Sequence, residues 1–137
     1  MRISLCRVIT TATLLVLVAS CEQKRTDAPQ ISFEENLQQQ LIEAKPGDTI
    51  QIPAGIHNFT RSLSLNVPGV SIRGEGINSS ILSFKNQQQG AEGLLVSAND
   101  FTIQDLAIED TIGDALKINE STNVVIRNVR TEWTNGP

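Results

Sequence analysis

A chain of 137 residues, 39% of them hydrophobic, suits one globular domain and excludes a wholly disordered segment. With four Phe, one Trp and no Tyr, its core must be aliphatic. The formal charge of −4 tells against nucleic acid as a partner, which would need a basic face.

The chain opens with a basic stretch, Arg2 to Arg7, followed by Val8-Ile9 and the apolar run Ala12 to Ala19, which is short for a membrane-spanning helix. Residues 1–20 therefore read as an export signal. Leu17-Val18-Ala19-Ser20-Cys21 resembles the bacterial lipobox, and the resemblance implies cleavage before Cys21 and a lipid on its thiol. The alternatives are an ordinary signal peptide cleaved nearby or an uncleaved anchor helix. Glu22 stands where an aspartate would favour inner-membrane retention in enteric-type bacteria, so the expected address is the outer membrane. Both cysteines, Cys6 and Cys21, fall in this segment, so no disulfide is expected in the folded part. Loss of Arg2 and Arg7 with the signal leaves nine basic against 15 acidic side chains, a mature charge of −6.

Residues 21–31 comprise Cys21 and a polar stretch with Pro29 and no apolar period, which reads as a flexible tether. Ser32-Phe33-Glu34-Glu35 is a capping box, in which the Ser hydroxyl and the Glu carboxylate satisfy backbone N–H groups at a helix start. The spacing of Phe33, Leu37 and Leu41 gives that helix one apolar stripe. Pro46-Gly47 closes it near Ala44, within a segment 32–46.

From residue 47 to 137 the pattern changes to short β-type runs: TIQI, SLSL, VSIR, ILSF, LLVS, FTIQDLAIE, ALKI and VVIRNVR. Such runs fit a sandwich or a barrel until internal repetition is considered. Leu94 and Val96 align with Leu116 and Ile118, and Phe101, Ile103 and Leu106 align with Val124, Ile126 and Val129, at spacings of 22 and 23. Leu63, Leu65, Val70 and Ile72 supply a further copy, lengthened by an insertion around INSSILSFKNQQQG. A period of 22–23 without helices predicts an all-β solenoid whose coils stack at the ordinary strand spacing, about 4.8 Å. A leucine-rich repeat has a similar period, but its Leu-x-x-Leu-x-Leu frame is missing. Leu116, Ile118, Val124, Ile126 and Val129 should point inward.

The stretches AKPGDTIQIPAGIHNF (44–59), VPGVSIRGEG (67–76), NDFTIQDL and TNVVIRNV resemble the right-handed parallel β-helix proteins of the pectate-lyase type, over residues 32–137. Within that family the chain is most similar to bacterial lipoprotein forms. The resemblance implies a helix-capped β-helix, here of about four coils, that recognises or processes a polysaccharide, with uronate lyase or epimerase chemistry among the family's activities. It equally admits a non-enzymatic scaffold, adhesion or accessory module. Family members usually have many more coils, so a fragment, or a short form that needs a partner, is expected. Alginate epimerases of this fold carry Asp-Pro-His-Asp on a coil strand, where this chain has Lys117-Ile118-Asn119-Glu120; that departure tells against their mechanism on these residues.

In a solenoid, equivalent polar residues form ladders, here Arg73 with Gln104 and Arg127, Glu109 with Glu132, and Asp105 with Asn128. Stacked like charges require protonation, water or a bridging cation. Glu109 and Glu132, with Asp110 and Asp114 nearby, thus fit an all-oxygen Ca2+ site, with Glu109, Glu132 and Asp110 as ligands. Equally, Glu109, Glu132 and Asp114 with Lys117 or Arg130 fit a general acid and base acting on a uronate. The plain alternative is a solvated acidic edge. Trp133, the only tryptophan, suits stacking against a pyranose ring or simple edge packing. His57 reads as a turn or surface residue, and one His with one lipidated Cys offers neither a zinc cluster nor a triad.

Overall fold

The computed structural model describes residues 31–134. The expected export signal, Cys21 and nearly all of the expected tether lie outside the described residues, as do residues 135–137.

Helix α1 spans Phe33–Glu43 and begins at the expected capping box, with the Glu35 amide donating to Ser32 Oγ and the Ser32 amide to the Glu35 carboxylate. Leu37 and Leu41 are buried and Phe33 is half-buried against the core, so the apolar stripe faces the coils. Nine strands follow in chain order: β1 Thr49–Gln51, β2 Gly55–Asn58, β3 Arg61–Leu65, β4 Ser71–Arg73, β5 Ser80–Ser83, β6 Gln89–Val96, β7 Thr102–Glu109, β8 Leu116–Ile118 and β9 Val125–Glu132. Every described pairing is parallel: one sheet joins β1, β4, β7, β5, β2 and β9, and a second joins β3, β6 and β8. The chain is therefore a parallel β-solenoid of about three turns, with β9 laid on β7 as the first side of another. The expected register holds in Leu63–Leu94–Leu116, in Leu65–Val96–Ile118, and in Ile72–Ile103–Ile126.

The insertion seen in the sequence carries a strand of its own. β7 pairs with β4 through Thr102–Gln104 and with β5 through Ala107–Glu109, so β4 and β5 are one coil side split by the loop 74–79. Gly74 opens that loop because a Cβ there would stand 2.2 Å from the Asp105 carbonyl oxygen.

The corners explain the placing of Gly, Asp and Asn. Gly47, Gly69, Asp100 and Asn123 occupy the same corner in successive coils, with φ of 96°, 74°, 57° and 56°. Left-handed backbone is open to glycine and, among the other residues, most readily to Asn and Asp. Asn123 Nδ2 donates to Asp100 Oδ1, and Asn128 Nδ2 donates to Asp105 Oδ1 at 2.9 Å, so side chains tie the corners as backbone ties the strands.

Inside, aliphatic residues from each coil stack with Phe59 and Phe84, whose rings lie 5.0 Å apart. At the far end Leu116, Ile118, Val124 and Val129 are only half-buried and Ile126 is 53% exposed, because no described coil covers them. The helix covers the opposite end. Glu34 accepts hydrogen bonds from the amides of Thr60 and Arg61, both at 3.0 Å, and Gln38 pairs with the amide and carbonyl of Ser64. These side chains satisfy an edge that would otherwise present unpaired backbone groups.

Candidate functional site

The site follows from the last rows of the solenoid. Register places Glu132 over Glu109, so the next row holds Phe59, Phe84, Asp110 and Trp133. The two Phe are buried, whereas Trp133 is 57% exposed. Between β7 and β8 the chain turns through Thr111, Ile112, Gly113, Asp114 and Ala115. That turn is fastened to the preceding coil by Gly113 N to Ala91 O (2.7 Å) and Gly93 N to Asp114 O (2.9 Å). The turn and the end of β9 enclose an open cleft of about 320 Å³ lined by Thr111, Gly113, Asp114, Ala115, Thr131, Glu132 and Trp133.

Three of the residues singled out in the sequence therefore converge: Asp114, Glu132 and Trp133. The others are engaged elsewhere. Glu109 is buried and bonded to Arg130 Nη2, while Arg130 Nη1 bonds the Glu132 carboxylate. Arg130 Nε and Nη2 also donate to the Ile77 carbonyl, both at 3.2 Å, which anchors the guanidinium to the inserted loop. Burial works against its charge, but the hydrogen bonds it donates to Glu109 and Glu132, with their negative charges, outweigh it and hold Arg130 above its ordinary pKa. The bridging role expected of Ca2+ between Glu109 and Glu132 is thus filled by an arginine. Asp110 accepts from the Thr134 amide and hydroxyl at 2.6 and 2.7 Å. Among the described residues no group of three or more His, Cys, Asp or Glu is placed to hold a metal ion.

Lys117, considered as a helper in acid–base chemistry, lies in β8 with its Nζ 3.0 Å from Glu92 Oε1. The hydrogen bond and charge of Glu92, with a further contribution from Asp114, raise its pKa, the opposite of what a neutral-pH base requires. Glu92 in turn is held below its ordinary carboxyl value, chiefly by the Lys117 hydrogen bond. The repeat alignment overlooks Glu92 because it lies 25 residues before Lys117, on a diagonal rather than in the 22-residue register. His57 is half-exposed, stacked on Phe33 at 3.9 Å, with Nε2 2.9 Å from the Pro53 carbonyl oxygen, a structural place on the capped end.

Thr111 is buried with its hydroxyl bonded to the Gly113 carbonyl at 2.8 Å, which shapes the turn under the cleft. The cleft thus offers one aromatic face, two carboxylates and the Thr131 hydroxyl, with no lining cation among the described residues. Such a set stacks against a ring and accepts hydrogen bonds from hydroxyl or ammonium groups. No family model, curated protein or solved structure matches the chain. Among the described residues no helix is long and apolar enough to cross a membrane.

Proposed function

We propose that this protein is an envelope lipoprotein, anchored through Cys21 at the outer membrane, whose β-solenoid binds a polysaccharide in the cleft formed by Thr111–Ala115 and Thr131–Trp133. The single observation carrying this reading is the convergence of Trp133, Glu132 and Asp114 on one open cleft. An exposed indole beside two carboxylates suits a pyranose, whose C–H face stacks while its hydroxyls donate. The resemblance of the coil motifs to pectate-lyase-type β-helices supports the same ligand class.

Binding rather than turnover is the reading favoured for these residues. Lys117 and Arg130 are both raised in pKa and ion-paired, and Glu109 is closed off beneath Arg130, so lyase or epimerase chemistry would lack a poised base among them. Affinity sedimentation of the full chain on insoluble polysaccharides tests the proposal. Retention of the wild type and at least tenfold weaker retention of Trp133→Ala are expected; equal retention of both would sink it. Release of unsaturated uronide products by the same chain would instead favour the lyase reading.

A further inference from the structure

The charge around the cleft narrows its ligand, on the premise that the cleft is the glycan site. Among the described residues its lining carries Asp114 and Glu132 and no Lys or Arg. The nearest cations identified by contact are already committed: Arg130 to Glu109, Glu132 and the Ile77 carbonyl, and Lys117 to Glu92. Asp114, Glu132 and Glu109 against the single Arg130 still leave the region net negative at neutral pH.

A polyuronate brings one carboxylate per sugar into that field, and no Lys or Arg stands in the described lining to meet it. The chain's overall charge of −4 adds to the repulsion. A sugar bearing an ammonium group reverses every term. The ammonium is attracted to Asp114 and Glu132, and a cation beside an exposed indole gains cation–π attraction. The ring hydroxyls meanwhile match the exposed Thr131 hydroxyl and the C–H face suits the indole of Trp133, which a simple basic peptide leaves unused. We infer that the cleft selects cationic amino sugars, as in de-N-acetylated hexosamine polymers, over uronates.

Trp133 is the only tryptophan, so its fluorescence reads the cleft directly. The full chain in detergent would be titrated at mildly acidic pH with four tetramers: glucosamine, N-acetylglucosamine, galacturonate and lysine. The glucosamine tetramer should bind roughly tenfold or more tighter than the N-acetylated one, by the attraction of an ammonium to two nearby carboxylates. Galacturonate should bind weakest. Added salt should narrow the gap, and Asp114→Asn should weaken the glucosamine tetramer several-fold more than the N-acetylated one, which loses only a hydrogen-bond acceptor.

Equal binding of the charged and N-acetylated tetramers would overturn the inference and leave the glycan reading intact. Tetralysine matching the glucosamine tetramer would also overturn it, since the cleft would then read charge alone. Preference for galacturonate would overturn it in favour of uronate recognition. No response to any tetramer would overturn both the inference and the glycan site.

Discussion

Glu34 is the side chain whose loss the structure makes most costly for the capped end. It sits in the first turn of α1, is 9% exposed, and accepts from two backbone amides of the first coil at 3.0 Å and from the Thr60 hydroxyl at 3.0 and 3.2 Å. Arg61 Nε stands 3.5 Å away. Glu34→Ala strands both amides and the hydroxyl and removes a favourable charge from the helix N-terminus. Hydrogen bonds to a charged group contribute about 1.5–3 kcal/mol each, but Thr60 and Arg61 are exposed enough for water to replace part of this, so the expected loss is about 2–4 kcal/mol. For a domain of this size each kcal/mol lowers Tm by roughly 4–8 °C. Glu34→Gln keeps one acceptor oxygen and should cost about half as much. Urea melts of the three proteins give the ranking, and hydrogen exchange should show the Thr60 and Arg61 amides opening first in Glu34→Ala. A loss under about 0.5 kcal/mol, or a Gln variant as weak as the Ala variant, would refute the claim that this carboxylate seals the solenoid edge.

Gly93→Ala would place a Cβ 2.6 Å from the Ala115 carbonyl oxygen and 2.9 Å from Ile108 Cγ2, so backbone must shift; a loss of about 1–3 kcal/mol in urea melts is expected. Arg130→Met leaves Glu109 buried without its partner and should cost about 1–3 kcal/mol, with faster exchange in the loop bearing Ile77. Because Glu92 is held below its ordinary value of 4.5, its stabilising contribution is present above that value and lost as pH falls through the lower folded value. The urea midpoint should therefore fall more steeply with acid in the wild type than in Glu92→Gln.

The fold was legible because a solenoid repeats its inward residues at the spacing of a coil. Leu94–Leu116 and Ile103–Ile126 stand opposite each other as their 22- and 23-residue spacings require. The capping box likewise located α1, since its chemistry is local. Polar ladders were legible as stacks but not as interactions. Glu109 and Glu132 do stack, yet whether an ion, water or a side chain lies between them depends on Arg130, which reaches along and across the strands. Lys117–Glu92 was hidden for the same reason, being diagonal to the register. The run ILSF marked β5, but not its place beside β4, because the loop 74–79 interrupts a side that β7 traverses without a break. Ile126 keeps the register of Ile103 but is half-exposed, since burial depends on a covering layer and not on direction alone. In the site, Trp133 and Glu132 are adjacent in sequence, but Asp114 joins them only through the turn fastened to Ala91 and Gly93.

If a glycan is held at the turn and strand end around Trp133, its footprint must centre there. Amide chemical-shift mapping of the full chain in detergent, with an added amino-sugar tetramer, tests it most directly. Perturbed amides should cluster at residues 111–115 and 131–133, with α1 and the corners at Gly47 and Gly69 unchanged. Perturbations centred on the helix-capped end, or spread along the coils with Trp133 unaffected, would contradict it.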